Sequence, residues 1–163
     1  MSSSDRRKFL TLLIAAPLGA CGFTPVYAPG GAGLALRDRV LVAAPDTRLG
    51  FVLVSRLETR LGRATAADYA LDYTIETSET GLAITGANDI TRINITGTVT
   101  FTLTDLATDE QVITDSVSTF TAYSTTGTSV ATASAERDAE DRLMTALADQ
   151  MVSRLLAASS RFS

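Results

Sequence analysis

The stretch Thr91-Arg92-Ile93-Asn94-Ile95-Thr96-Gly97-Thr98-Val99-Thr100-Phe101-Thr102-Leu103-Thr104-Asp105 decides the fold. Ile93, Ile95, Val99, Phe101 and Leu103 fall on one side of an extended chain. Arg92, Asn94, Thr96, Thr98, Thr100, Thr102 and Thr104 fall on the other. Side chains of a strand alternate between its two faces, so the stretch is a strand with one apolar and one polar face. Threonine is β-branched and suits a solvated pleated surface. Gly97 interrupts the apolar side, which marks either a bulge or the close approach of another element.

The pattern extends in both directions. Upstream, Ala67 to Thr77 sets Tyr69, Leu71, Tyr73 and Ile75 against Asp68, Asp72, Thr74 and Glu76, a half-buried strand. Ser78 to Asn88, with Gly81 and Gly86, reads as a connecting loop. Downstream, Asp105 to Glu110 turns the chain. Gln111 to Tyr123 returns as a strand whose apolar residues are Val112, Ile113, Val117, Phe120 and Tyr123. Its alternation slips near 114–117, which predicts a bulge or a frayed edge.

Further upstream, Val40-Leu41-Val42-Ala43 is a short apolar run read as a buried first strand, and Ala44-Pro45-Asp46 breaks it. Asp46 is placed to cap a helix from about Thr47 to Leu61, with Leu53, Val54, Leu57 and Leu61 on one face and Gly62 at its end. Ser124 to Ser129 is a polar loop. A long helix follows from Ala131 to about Ala158, with Leu143, Met144, Leu147, Met151 and Leu155 as its apolar stripe. Strand, helix, three strands and helix predict an α+β fold: two helices packed on one face of a small, roughly four-stranded mixed sheet. The threonine-rich other face is then open or covered by a partner, which suits a binding module better than an enzyme.

The N-terminal segment carries a different signal. Arg6, Arg7 and Lys8 precede a short apolar run from Phe9 to Leu18, and Leu18-Gly19-Ala20-Cys21 then has the order of a lipobox. About ten apolar residues fit a signal peptide and are too few to span a bilayer. The expected product keeps Cys21 as an acylated N-terminus, with a thioether diacylglycerol and an N-acyl chain. Two or three chains at about 0.8 kcal/mol per buried CH₂ anchor a protein durably. Asp5-Arg6-Arg7-Lys8-Phe9-Leu10 is similar to a twin-arginine export motif, so twin-arginine and general secretory export both stay open. Gly22 stands where aspartate would signal inner-membrane retention, so the expected destination is the outer membrane. Residues 1–20 thus read as a lipoprotein signal peptide. Residues 21–35, rich in Gly and Pro, read as the acylated N-terminus and tether, and 36–163 as a single domain.

From Cys21 onward 143 residues remain, enough for one domain with a real core. Three of the 14 basic residues (Arg6, Arg7, Lys8) and one of the 18 acidic residues (Asp5) precede Cys21, leaving 11 and 17, a net charge of −6. That balance, without a single lysine after position 8, argues against general nucleic-acid binding. There is no histidine, and Cys21 is the only cysteine. The usual catalytic triads, thiolate metal clusters and most zinc sites are therefore out of reach. Asp72 and Glu76 share one strand face with Thr74 between them, and they read as solvated side chains more than as a catalytic carboxylate pair. The cluster Arg56, Glu58 and Arg60 reads as a solvated helix face. No enzyme activity, metal or cofactor is expected beyond the covalent lipid on Cys21.

The chain resembles the LPS-assembly lipoprotein family, LptE. The resemblance is carried by Cys21-Gly22-Phe23-Thr24-Pro25-Val26-Tyr27, by Thr91-Arg92-Ile93-Asn94-Ile95 leading into Val99 to Asp105, and by Ala131-Thr132-Ala133 through Arg137-Asp138-Ala139 to Leu147-Ala148-Asp149-Gln150. It implies the same helices-on-sheet fold. It also implies an outer-membrane lipoprotein that assembles with and plugs the LptD β-barrel, with lipopolysaccharide as a possible ligand. Arg92 matches an arginine of the family pattern, which marks it as a candidate contact with the lipid or the barrel. Two other roles remain open: an auxiliary lipoprotein of a different envelope lipid-transport system, or a lipoprotein regulator of cell-wall synthesis.

Overall fold

The computed structural model describes residues 32–84 and 90–158. The signal segment, Cys21, residues 22–31 of the tether, residues 85–89 and the tail from 159 lie outside the described residues.

The elements in chain order are helix α1 (Ala32–Leu36), strand β1 (Val40–Val42), helix α2 (Arg48–Leu61), strands β2 (Tyr69–Ile84), β3 (Ile90–Asp105) and β4 (Gln111–Ser124), and helix α3 (Ser129–Ala157). The strands form one sheet in the order β1-β2-β3-β4, parallel between β1 and β2 and antiparallel elsewhere. The α+β layer is as expected, with one addition. The end of the expected tether, residues 32–35, joins Leu36 in a short helix, which drops Leu36 into the core.

Each boundary that moved has a physical cause. Thr47, not Asp46, caps α2. Its extended backbone lets the hydroxyl accept from the Gly50 N–H at 3.0 Å. β1 is not buried on both faces: Val40 is buried, but Leu41 on the opposite face is 54% exposed. β2 runs seven residues past Thr77, through Ser78 to Ile84, where a loop was expected. It continues because β3 pairs with it from Tyr69↔Asp105 to Ile84↔Ile90. The slip expected near 114–117 of β4 is displaced toward the start of the strand. Alternation is regular from Ile113 to Tyr123, and the register shift lies earlier, where Leu103↔Ile113 is followed by Thr104↔Gln111 and leaves Val112 unpaired.

The core lies between the sheet and the two long helices. Leu71 on β2, Ile95, Val99, Phe101 and Leu103 on β3, and Leu143, Met144, Leu147, Met151 and Leu155 on α3 are all buried. Gly97 keeps its place in the register, opposite Thr77 and Thr119, so it is not a bulge. A Cβ there would meet the side chains of Leu143 and Leu147 at 3.0 Å, so its hydrogen admits α3 against the sheet. The helices are also pinned to each other. Arg48 pairs with Glu140 and Asp141, and Arg56 makes a two-pronged pair with Asp149 at 2.8 and 3.0 Å. Advancing eight residues on α2 advances eight on α3, so the helices run parallel.

Candidate functional site

All the helices of the described residues pack on one side of the sheet. The other face presents Thr74, Glu76 and Ser78 from β2, the even-numbered residues of β3, and Thr114, Ser116 and Ser118 from β4. Alternation puts them there, because every odd neighbour on β3 from Ile93 to Leu103 faces the helices. Several hydroxyls pair across strands. Thr98 donates to Ser118 at 3.1 Å, Ser118 donates to the Gly97 carbonyl at 3.1 Å, and the Thr102 and Thr114 hydroxyls lie 3.2 Å apart. The result is an ordered polar surface with hydrogen-bonding capacity left over, because each hydroxyl carries one donor and two acceptor sites.

Phe120 breaks this polarity. It lies on the hydroxyl face opposite Thr96 and is 67% exposed. Sequence reasoning grouped it with the apolar residues of β4. Counting in twos back from Tyr123 would have put it on the outer face.

Arg92 sits at the end of this face, paired with Ala83 on β2 and Ser124 on β4. It is exposed and lines an open pocket of about 420 Å³ with Thr91, Ala122, Tyr123, Ser124 and Thr126. The floor of the pocket is fixed. Thr125 N–H and Ser124 Oγ both donate to the Thr91 carbonyl, at 3.1 and 3.3 Å, and the Ser124 and Thr126 hydroxyls lie 2.9 Å apart. Two residues along the same face, Asn94 Oδ1 is buried with no hydrogen-bond partner among the described residues. A guanidinium beside hydroxyls suits a polar ligand that carries anionic oxygens.

The other residues singled out in the sequence fall elsewhere. Asp72 and Glu76 are exposed on the outer face with Thr74 between them. Arg56 and Arg60 do not form a free solvated cluster. Both reach Asp149 on α3, Arg60 at 3.8 Å, while Glu58 pairs with Arg63 at 2.7 Å. Met144 and Met151 are fully buried core. Among the described residues no cluster of three or more His, Cys, Asp or Glu could hold a metal ion, and no helix is long and apolar enough to cross a membrane.

This layer, two parallel helices on one face of a four-stranded sheet, is the fold of several bacterial proteins described as lipoproteins. A lipoprotein structure from Caulobacter crescentus CB15 matches with a TM-score of 0.66 at 16% identity, over 80% of this chain and 97% of that one. Rare lipoprotein B from Shewanella oneidensis matches with a TM-score of 0.59 at 13% identity, over 75% and 95%. A minor lipoprotein from Acinetobacter baumannii matches with a TM-score of 0.55 at 17% identity, over 73% and 89%. A comparison with curated protein sequences finds no match. The sequence model of the family described as LptE, lipopolysaccharide-assembly, matches residues 38–155. The chain belongs to the LptE family.

Proposed function

We propose that this LptE-family protein is an outer-membrane lipoprotein, held by acyl chains on Cys21, that assembles with an LptD-type β-barrel and fills its lumen during lipopolysaccharide transport. Membership of a lipopolysaccharide-assembly family supports the lipid. The observation that carries the barrel is the open hydroxyl face. No helix of the described residues packs on it, and its threonines and serines can exchange hydrogen bonds with water for hydrogen bonds with a polar wall. A wide barrel has such a wall inside, and a plug must be polar to meet it. In this reading Arg92 and its pocket approach the phosphates of the lipid or the rim of the barrel.

The test is a mild-detergent pull-down of the tagged, acylated protein from its native envelope, with mass spectrometry of both protein and partners. The expected result is acyl mass on Cys21 and a stoichiometric outer-membrane barrel, lost when Thr98 and Thr100 are replaced by glutamate. Lipopolysaccharide should also be captured, and less of it by Arg92→Ala. An inner-membrane transporter or a peptidoglycan synthase in place of the barrel sinks the plug reading.

A further inference from the structure

The two edges of the sheet are finished differently. On β4, Ser116 N–H is taken by the Asp115 carboxylate at 2.8 Å, and the Ala122 carbonyl is approached by Arg142 at 3.4 Å. Side chains thus cover backbone groups that an added strand would need, a common defence of exposed edges. On the opposite side, β1 pairs only with Tyr69, Ala70 and Leu71, and β2 continues to Ile84.

The backbone direction along β2 can be read from its last contacts with that side. Tyr69 N–H donates to the Arg39 carbonyl at 3.2 Å, and Ala43 N–H donates to the Leu71 carbonyl at 2.9 Å. Odd-numbered residues of β2 therefore point their backbone groups outward, and even-numbered ones point theirs into the ladder with β3. Beyond Leu71, the outward groups of Tyr73, Ile75, Thr77 and Glu79 meet no hydrogen-bond partner among the described residues. The register with β3 is regular throughout this span, and the first shift comes only after Gly81. The edge contains no proline, no bulge and no lysine to blunt it.

We propose that the β2 edge from Tyr73 to Glu79 is a docking strand, which takes an extended segment of a protein partner as a fifth strand beyond the end of β1. Its side chains define the occupant. On the outer face, Asp72 and Glu76 are exposed carboxylates; toward the helices, Tyr73 and Ile75 are half-buried and Glu79 at the far end is exposed. A complementary segment alternates basic residues, over the carboxylates, with apolar residues beside Tyr73 and Ile75. A second copy of this edge fits poorly, because antiparallel self-pairing about Glu76 sets carboxylate against carboxylate. The chain's own residues 22–31 carry no charge and contain Pro25 and Pro29.

The test is residue-resolved amide exchange on the full acylated chain in detergent, with and without a synthetic heptapeptide that alternates lysine and valine. In the free chain the amides of Ile75, Thr77 and Glu79 should exchange fast and those of Thr74, Glu76 and Ser78 slowly. At saturating peptide the odd set should slow at least tenfold while the even set stays unchanged. Thr77→Pro removes an outward donor and spares the ladder, so it should keep the thermal midpoint within a few degrees yet abolish this protection. Glu76→Lys should weaken peptide binding severalfold. Uniform protection of odd and even amides in the free chain overturns the proposal. So does protection that grows with protein concentration, or that disappears when residues 21–31 are removed, because the edge is then already occupied. Absence of binding at millimolar peptide, or equal binding by Thr77→Pro, also overturns it. Because the probe is a peptide, failure here leaves the barrel reading standing, and failure to capture the barrel leaves this result unaffected.

Discussion

Gly97 lies directly beneath Leu143: a Cβ on Gly97 would stand 3.0 Å from Leu143 Cδ2, 3.2 Å from its Cγ, and 3.0 Å from Leu147 Cδ1. Both leucines are fully buried, so they have little room to yield. Overpacking of this kind costs about 1–3 kcal/mol. Gly97→Ala should fall near the lower end, since alanine also improves on glycine's strand propensity, and Gly97→Val near the upper end. Urea unfolding reads both. Equal stability of Gly97→Val and parent would mean that α3 does not rest on this glycine.

Gly62 ends α2 at φ +81°, ψ 165°, a region that side chains rarely adopt, and its N–H donates to the Glu58 carbonyl at 2.9 Å. A Cβ there would also collide with Asp38 Oδ1. Gly62→Ala should cost about 1–3 kcal/mol from backbone strain, with a further loss from the collision. The double variant Gly62→Ala, Asp38→Ala should recover only the second part. Full recovery in the double variant would show that the backbone there is unstrained.

Asp149 receives Arg56 in a two-pronged pair and Arg60 at 3.8 Å, and so ties α2 to α3. Asp138, by contrast, pairs with Arg142 one turn along its own helix. Asp149→Asn should therefore lower the thermal midpoint more than Asp138→Asn, because it loosens two packed elements instead of one exposed turn. Raising the salt concentration should narrow the gap, since these pairs are partly exposed. The ranking of the two melts checks this directly.

Desolvation raises the pKa of Glu79 above its ordinary value, and the nearby Glu136 and Glu140 raise it further. Arg48, on α2, faces Glu140 and offsets part of that repulsion. An acid whose pKa is higher in the folded state binds more protons folded than unfolded, so stability falls as pH rises from the unfolded carboxylate value through the raised one. Glu79→Gln should then be more stable than the parent at neutral pH. The advantage should vanish in acid, below the unfolded carboxylate pKa. Thermal melts across that range test it, and an advantage independent of pH would contradict the charge account.

The outer face was legible in the alternation of residues 92–104, and Arg92 could be placed at its end. The pocket around Arg92 was not legible, because Ala122, Tyr123, Ser124 and Thr126 reach it from a strand and loop some thirty positions later. The continuation of β2 was hidden for a similar reason. Ser78-Glu79-Thr80-Gly81 has weak strand propensity by itself and is held extended by Thr96, Ile95, Asn94 and Ile93 across the ladder.

By itself the sequence determined which residues are core and which are surface in β3 and along the apolar stripe of α3. Those assignments depend on periods of 2 and 3.6, which are fixed by backbone geometry within a few residues. Ile95, Val99, Phe101 and Leu103, and the α3 stripe from Leu143 to Leu155, are buried as the spacing requires. Only the tertiary structure decided that Gly97 is a seat for α3, that Arg56 and Arg60 share Asp149, and that β1 stops short and leaves the β2 edge open. Each of these is set by the distance between groups far apart in the chain. Such distances come from the packing of whole elements, and no local period encodes them.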